Sequence, residues 1–203
     1  RNLIITNSKF GNGQGDIISS NNKINYYLQA NPANLYIAPG FIASKAQNNA
    51  TTLGRGGSDY TAAIYAAAVN AAALEIWTDV SGMMTADPRL VQNAKIIPQI
   101  SYQEAMELSH FGAKVIYPPT IQPVMDRGIP VWVKNTFAPQ DNGTLIEQYS
   151  QQDAGSTVTG ISSINKIALI SLEGSGMVGI PGFSKRLFEA KKKKKINVIL
   201  ITQ

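Results

Sequence analysis

The sequence has no cysteine, so disulfides, thiolate metal sites and cysteine nucleophiles are excluded. A single histidine, His110, rules out a histidine-rich metal centre and reads as a structural residue. No apolar run approaches the roughly 18 residues of a membrane-spanning helix. The opening residues, Arg1-Asn2-Leu3-Ile4-Ile5-Thr6, lack the pattern of a signal peptide and enter directly as a short strand. There is no G-x-x-x-x-G-K-[ST] phosphate loop. Charge of one sign is scarce outside one place. The formal net charge is +5, and the run Lys191 to Lys195 accounts for all of it. That run has no interleaved aromatics and closes a predicted helix, where lysines suit the helix dipole. It reads as a solvated helix end, so neither nucleic acid nor a membrane is expected as a partner.

What is present is a globular composition over 203 residues, enough for one or two domains. The chain is organised around Thr51-Thr52-Leu53-Gly54-Arg55-Gly56-Gly57-Ser58-Asp59-Tyr60-Thr61, followed by an alanine-rich run to Ala73. Glycines that let a backbone approach a ligand give way abruptly to helix formers. Ser58 or Asp59 is the expected N-cap of a helix over 58–73. The free amides of its first turn suit an anion, and Arg55 offers a fork for a carboxylate or phosphate. An ordinary capped glycine loop explains the same stretch equally well. Small alanines allow this helix to pack closely, although each buries little area.

Upstream, residues 7–22 read as a loop, 24–29 as helix or strand, and 35–38 as a strand stopped by Pro39-Gly40. Downstream, Leu74 to Val80 reads as a strand with Thr78 and Asp79 at its carboxyl end, where ligands sit in open α/β sheets. Arg89 is a second candidate anion clamp. Ser101-Tyr102-Gln103-Glu104 is a capping box that starts a helix at Tyr102. Met106 reads as core, and Gly112 breaks the helix and exposes Lys114. A helix over 120–126, a strand over 129–133 and an edge segment at 144–146 follow. Residues 148–163, rich in Ser, Gln, Gly and Thr, mark the best domain boundary. Beyond it a β-α-β pattern restarts: strand 166–172, helix 181–193, strand 196–201. Both ends read as cut from a longer chain, and a 47-residue β-α-β piece needs more chain or a partner to complete it.

Together, the central loop, Trp77-Thr78-Asp79-Val80, Thr85-Ala86-Asp87-Pro88-Arg89 and Phe111-Gly112-Ala113-Lys114-Val115 resemble the aspartokinase family. The likeness is nearest to the kinase part of the bifunctional aspartokinase/homoserine dehydrogenases. It implies an α/β protein with the three-layer α/β/α amino-acid-kinase fold and a largely parallel sheet. Residues 1–147 would be the C-terminal part of the catalytic domain, and 157–203 the start of an ACT-like regulatory domain. The implied reaction carries the γ-phosphoryl group of ATP, with Mg²⁺, to the side-chain carboxylate of L-aspartate. No protein-only metal site is implied.

By the same likeness Arg55 and Ser58 hold the substrate, and Asp59 is the catalytic residue, organising the site or holding the substrate ammonium. Thr78, Asp79, Met84, Arg89 and Lys114 contact the nucleotide, Met84 standing where some relatives have Tyr. Two departures matter. The family's N-terminal Lys-Phe-Gly-Gly segment is missing, and Lys9-Phe10-Gly11-Asn12 imitates only part of it in the wrong place, so these 203 residues alone are expected to be inactive. Ile199 stands where lysine-inhibited relatives carry Asp, which points to threonine as effector, with Met177, Gly179 and Ile180 lining its loop. A homo-oligomer in the cytoplasm is expected. A non-catalytic regulatory subunit and another amino-acid kinase of the same fold are the competing expectations.

Overall fold

In a computed structural model of the chain, the described residues are 2–7, 9, 11, 13–45, 49–113, 115–150, 158–171, 183–194, 196 and 198–200. They form two compact units, residues 1–165 and 166–203.

The first unit is built around one helix. Helix α1 spans Ile17–Ala30; strands β1 (Ile42–Ser44) and β2 (Ala50–Thr52) form an antiparallel pair; helix α2 runs Gly57–Val69. Then come β3 (Leu74–Thr78), β4 (Gln99–Ser101), α3 (Tyr102–His110), a 3-10 turn at Pro118–Thr120, the short α4 (Gln122–Met125), β5 (Val131–Asn135) and β6 (Thr144–Glu147). The four longer-range strands make one sheet in the order β3-β5-β6-β4. β3 pairs with β5 in parallel, β4 with β6 in parallel, and β5 with β6 antiparallel. The sheet is therefore mixed: two of its three pairings are parallel. β6 is an interior strand rather than an edge segment, and its Thr144 and Ile146 are fully buried.

Strand alternation decides which way the sheet faces. Leu74, Ile76, Val131, Val133, Ile146 and Ile100 point into one core with Ala63 and Ala66 of α2, Tyr102 and Ala105 of α3, and Val124 of α4. On the opposite side Lys134 pairs with Glu75 at 3.0 Å and lies over the rings of Trp77 and Trp132. The hydrogen bond from Lys134, joined by one from the Trp77 ring N–H, holds the Glu75 carboxyl below the ordinary range. A second cluster sits on the other flank of α2, where Ile64 and Ala68 meet Ile4, Ile24 of α1, Ala43 of β1 and Leu53. Alanines at helical spacing let α2 be approached on both sides.

Several local expectations change. Helix α1 begins inside the predicted loop, capped by Asp16, whose carboxylate accepts from the Ser19 amide at 3.0 Å. The polar run Ser19–Asn22 hides its helical pattern, yet Ser20 is fully buried and its hydroxyl accepts from the Ile5 amide at 2.9 Å. The opening Leu3-Ile4-Ile5 contributes only isolated bridges, at Ile5 and Thr6. Residues 35–38 form no strand: Leu35 is 77% and Ile37 92% exposed, because no neighbour among the described residues offers a ladder. β4 was hidden by its length of three residues. The capping box at Ser101 is present as expected, and Glu104 also accepts from the Thr159 hydroxyl at 2.5 Å and the Ser150 hydroxyl at 3.2 Å. Met106 packs against the core, while His110 is exposed at the end of α3, edge-on to Phe111.

In the second unit the described helix is α5, Phe183–Lys193, whose last turn carries Lys191, Lys192 and Lys193. The strands expected at 166–172 and 196–201 are not formed among the described residues, and Leu169 is 93% exposed. A β-α-β piece of this size offers its strands too few neighbours.

Candidate active site

The αβ unit at the centre of the chain brings two groups of residues to one end. Helix α2, at 1.5 Å per residue, runs ~20 Å, and β3 returns ~17 Å against it. The start of α2 and the carboxyl end of β3 therefore lie at the same end of the unit.

The start of α2 differs from the expected capped helix. Gly56 is its N-cap, at φ 66°, and no side chain caps the first turn. Ser58 is exposed inside the first turn, and Asp59 is the second residue after the first helical one. A left-handed residue was needed to enter the helix, and Gly56 adopts that conformation where Ser58 or Asp59 would be strained. The consequence is a helix start with amides that no described side chain answers.

Asp59 is half-buried, and no hydrogen bond or ion pair joins its carboxylate to any described residue. Burial pushes its pKa above the ordinary carboxylate value. Arg55 is exposed, with its guanidinium 5.7 Å from the centre of the Tyr117 ring. A residue that sequence reasoning missed, Phe41, completes this end. It holds φ 70°, uncommon for a bulky side chain, and its amide donates to the Thr61 hydroxyl at 3.0 Å. The Thr61 hydroxyl in turn donates to the Gly57 carbonyl at 2.8 Å, and Gly40 lies so close to Ser58 that a Cβ there would sit 3.0 Å from its Cα. Pro39-Gly40 signalled a turn, but nothing in the sequence signalled its contact with the helix start.

At the end of β3, the Thr78 hydroxyl donates to Asp79 at 3.2 Å, and Asp79 is exposed. Met84 is half-buried and bridges to Ile96. Between them Ser81 donates to Asp141 and accepts from the Asn135 amide at 2.9 Å. The Met83 amide donates to the Thr144 hydroxyl at 2.8 Å, which donates to the Ile97 carbonyl at 2.7 Å. Ser81, Asn135, Asp141 and Thr144 were also missed, since partners 54 to 61 positions apart leave no local pattern. Arg89 is not poised alone: its side chain, 86% exposed, grips Asp87 at 2.7 Å, holding that carboxyl down at about 2. Lys114, Met177, Gly179 and Ile180 lie outside the described residues. The structure thus gathers Arg55, Ser58 and Asp59 on one loop and helix turn, and Thr78, Asp79 and Met84 on the adjoining loop, with Arg89 further along it.

A family model described as the amino acid kinase family matches residues 3–135, about two thirds of the sequence. The chain belongs to the amino acid kinase family. A model of the ACT domain matches residues 170–203 of this kinase-family chain. The resemblance to aspartokinases is upheld by its relatives. It is 42% identical over 204 residues to the chloroplastic bifunctional aspartokinase/homoserine dehydrogenase 1 of Zea mays, covering 99% of the chain and 22% of that protein. It is 38% identical to the lysine-sensitive aspartokinase 3 of Escherichia coli, covering all of the chain and 45% of that protein. The crystal structure of E. coli aspartokinase III in complex with aspartate and ADP superposes with a TM-score of 0.80 at 35% identity, over all of this chain and 45% of that one. This kinase-family chain therefore spans between about a fifth and a half of these relatives' length.

Proposed function

We propose that this chain is part of an aspartokinase that transfers the γ-phosphoryl group of ATP to the side-chain carboxylate of L-aspartate, giving 4-phospho-L-aspartate. The observation that carries the reading is the half-buried Asp59, without a partner among the described residues, four positions after the exposed Arg55 on a helix start that no described side chain caps. An α-amino acid presents the complementary pair: an ammonium for a carboxylate whose charge burial disfavours, and a carboxylate for a guanidinium. Ser58 positions the substrate beside them. The relatives' names, and the aspartate and ADP in the aspartokinase III structure, support the same reading.

In this reading one substrate carboxylate oxygen forms the new bond to the γ-phosphorus as the bond to the ADP oxygen breaks, with no covalent bond to the protein. Two anions have to be brought together, so positioning and charge neutralisation carry the chemistry. Arg55 and the amides of the α2 start hold negative charge, Thr78, Asp79 and Met84 contact the nucleotide, and Arg89 and Lys114 face its phosphates. No group of three or more carboxylates or histidines gathers among the described residues. Mg²⁺ bound with the nucleotide would supply charge neutralisation at its phosphates. We place residues 1–147 in the catalytic domain and 157–203 in an ACT-like regulatory domain with threonine as effector at Met177, Gly179 and Ile180. In this reading the protein acts as a homo-oligomer in the cytoplasm.

The test is trapping of the acyl phosphate with hydroxylamine. The intact protein containing this chain is expected to form aspartyl hydroxamate from ATP and L-aspartate, and the 203 residues alone to form none. ADP release driven by a different amino acid, with none driven by aspartate, would overturn the reading.

A further inference from the structure

We infer that Ser81, Asn135 and Asp141 are positioning residues that set the nucleotide loop after β3. The inference rests on the reading above that Thr78, Asp79 and Met84 contact the nucleotide. The last register pair of the parallel strands is Thr78 with Asn135, and the Thr136 amide extends it by donating to the Thr78 carbonyl at 2.8 Å. Beyond that point the two chains part. Asp79 and Val80 are exposed, and the loop is next fixed at Met83, fully buried and bonded through its amide to Thr144. Ser81 lies midway.

Its hydroxyl has one proton. That proton goes to Asp141, so the oxygen is left to accept from the Asn135 amide at 2.9 Å. Asn135 is oriented in turn, since its side-chain carbonyl accepts from the Phe137 amide at 2.9 Å. Asp141 is held by a turn in which its own amide donates to the Ala138 carbonyl at 3.0 Å. Each group is committed in one direction, and together they fasten the β3 loop to the β5–β6 connection at the carboxyl ends of two parallel strands. That is where an open α/β sheet binds its ligand. The loop carries Asp79 on one side of the tether and Met84 on the other, so its setting fixes both.

The test uses the intact protein. Ser81→Ala and Asp141→Ala are expected to raise the KM for ATP and the calorimetric Kd of Mg·ADP by about tenfold, the size of one hydrogen bond to a charged group. The KM for aspartate should stay within about twofold, because the α2 start is untouched. Ser81→Thr and Asp141→Asn keep a hydroxyl and an acceptor oxygen, and should restore most of the nucleotide affinity. Unchanged Mg·ADP affinity in a folded Ser81→Ala would overturn the inference. So would an equal loss for nucleotide and aspartate together with a lowered melting temperature, which marks a general structural role. Should Asp141→Ala fail to fold, the smaller Ser81→Ala change decides. If the wild type phosphorylates another acceptor, the aspartokinase reading falls while the ADP titration still tests the tether; if it binds no ADP, both fall.

Discussion

Replacing Asp59 by Asn in the intact protein is expected to lower kcat/KM for aspartate by about 10²–10³-fold, the scale of removing one preorganised polar group from an active site. The same substitution should leave thermal stability unchanged or raise it. Asp59 is half-buried, its carboxylate meets no described partner, and burial raises its pKa. A carboxyl whose folded pKa lies above its unfolded value stabilises the fold fully only below the unfolded pKa. That contribution is lost as pH rises through the folded pKa. At neutral pH the charged group is therefore a cost to folding, and Asn removes it. The melting temperature of the wild type should fall across this acidic interval by a component that the Asp59→Asn protein lacks. Activity retained within a factor of three, or a melting temperature lowered by several degrees, would show that Asp59 serves the fold instead.

A large loss of stability is expected from Gly143→Ala. Gly143 holds φ 80°, and a Cβ there would lie 2.2 Å from the Val133 carbonyl oxygen. That oxygen belongs to the backbone of β5, in the middle of the sheet, and cannot swing away as a side-chain end can. A left-handed alanine alone costs about 1–2 kcal/mol. Shifting the strand brings the total to about 3 kcal/mol or more, or on the order of 10 °C in melting temperature. Gly128 provides the control. It also has positive φ, 64°, but a Cβ there meets nothing within 4 Å. Gly128→Ala should show the conformational cost alone, about 1–2 kcal/mol. Equal urea midpoints for the two variants would sink the argument from the clash.

The parts of the fold that were legible in the sequence are those with a local physical signature. Ser101 and Glu104 announce their helix because the capping box is completed within four residues. Leu74 to Thr78 announces a strand by its alternation and its abrupt start after a helix. Thr51 to Thr61 announces a glycine loop entering a helix, although the cap fell to Gly56 through a left-handed backbone that no side-chain rule foretells. What was not legible depended on partners distant in sequence. The polar helix α1 is held by buried Ser20 and Ile24, the segment at 35–38 met no ladder, and β6 became interior because β4 pairs with it. Two groups of the candidate site were readable as motifs. The tether through Ser81, Asn135 and Asp141 was not, because hydrogen-bond partners across 54 and 60 positions have no spacing to recognise.

Helix α2 is the common wall of two cores, with Ala63 and Ala66 turned to one and Ile64 and Ala68 to the other. A wall shared in this way denies either side the freedom to melt on its own. Loosening the β1–β2 flank strips one side of α2, and loosening the sheet strips the other. The two cores flanking α2 are therefore expected to melt together, and the glycine loop that opens α2 is aligned from two directions at once. Its geometry is as stiff as the less stable of the two halves allows, and every part of the unit contributes to keeping Arg55 and Asp59 in register.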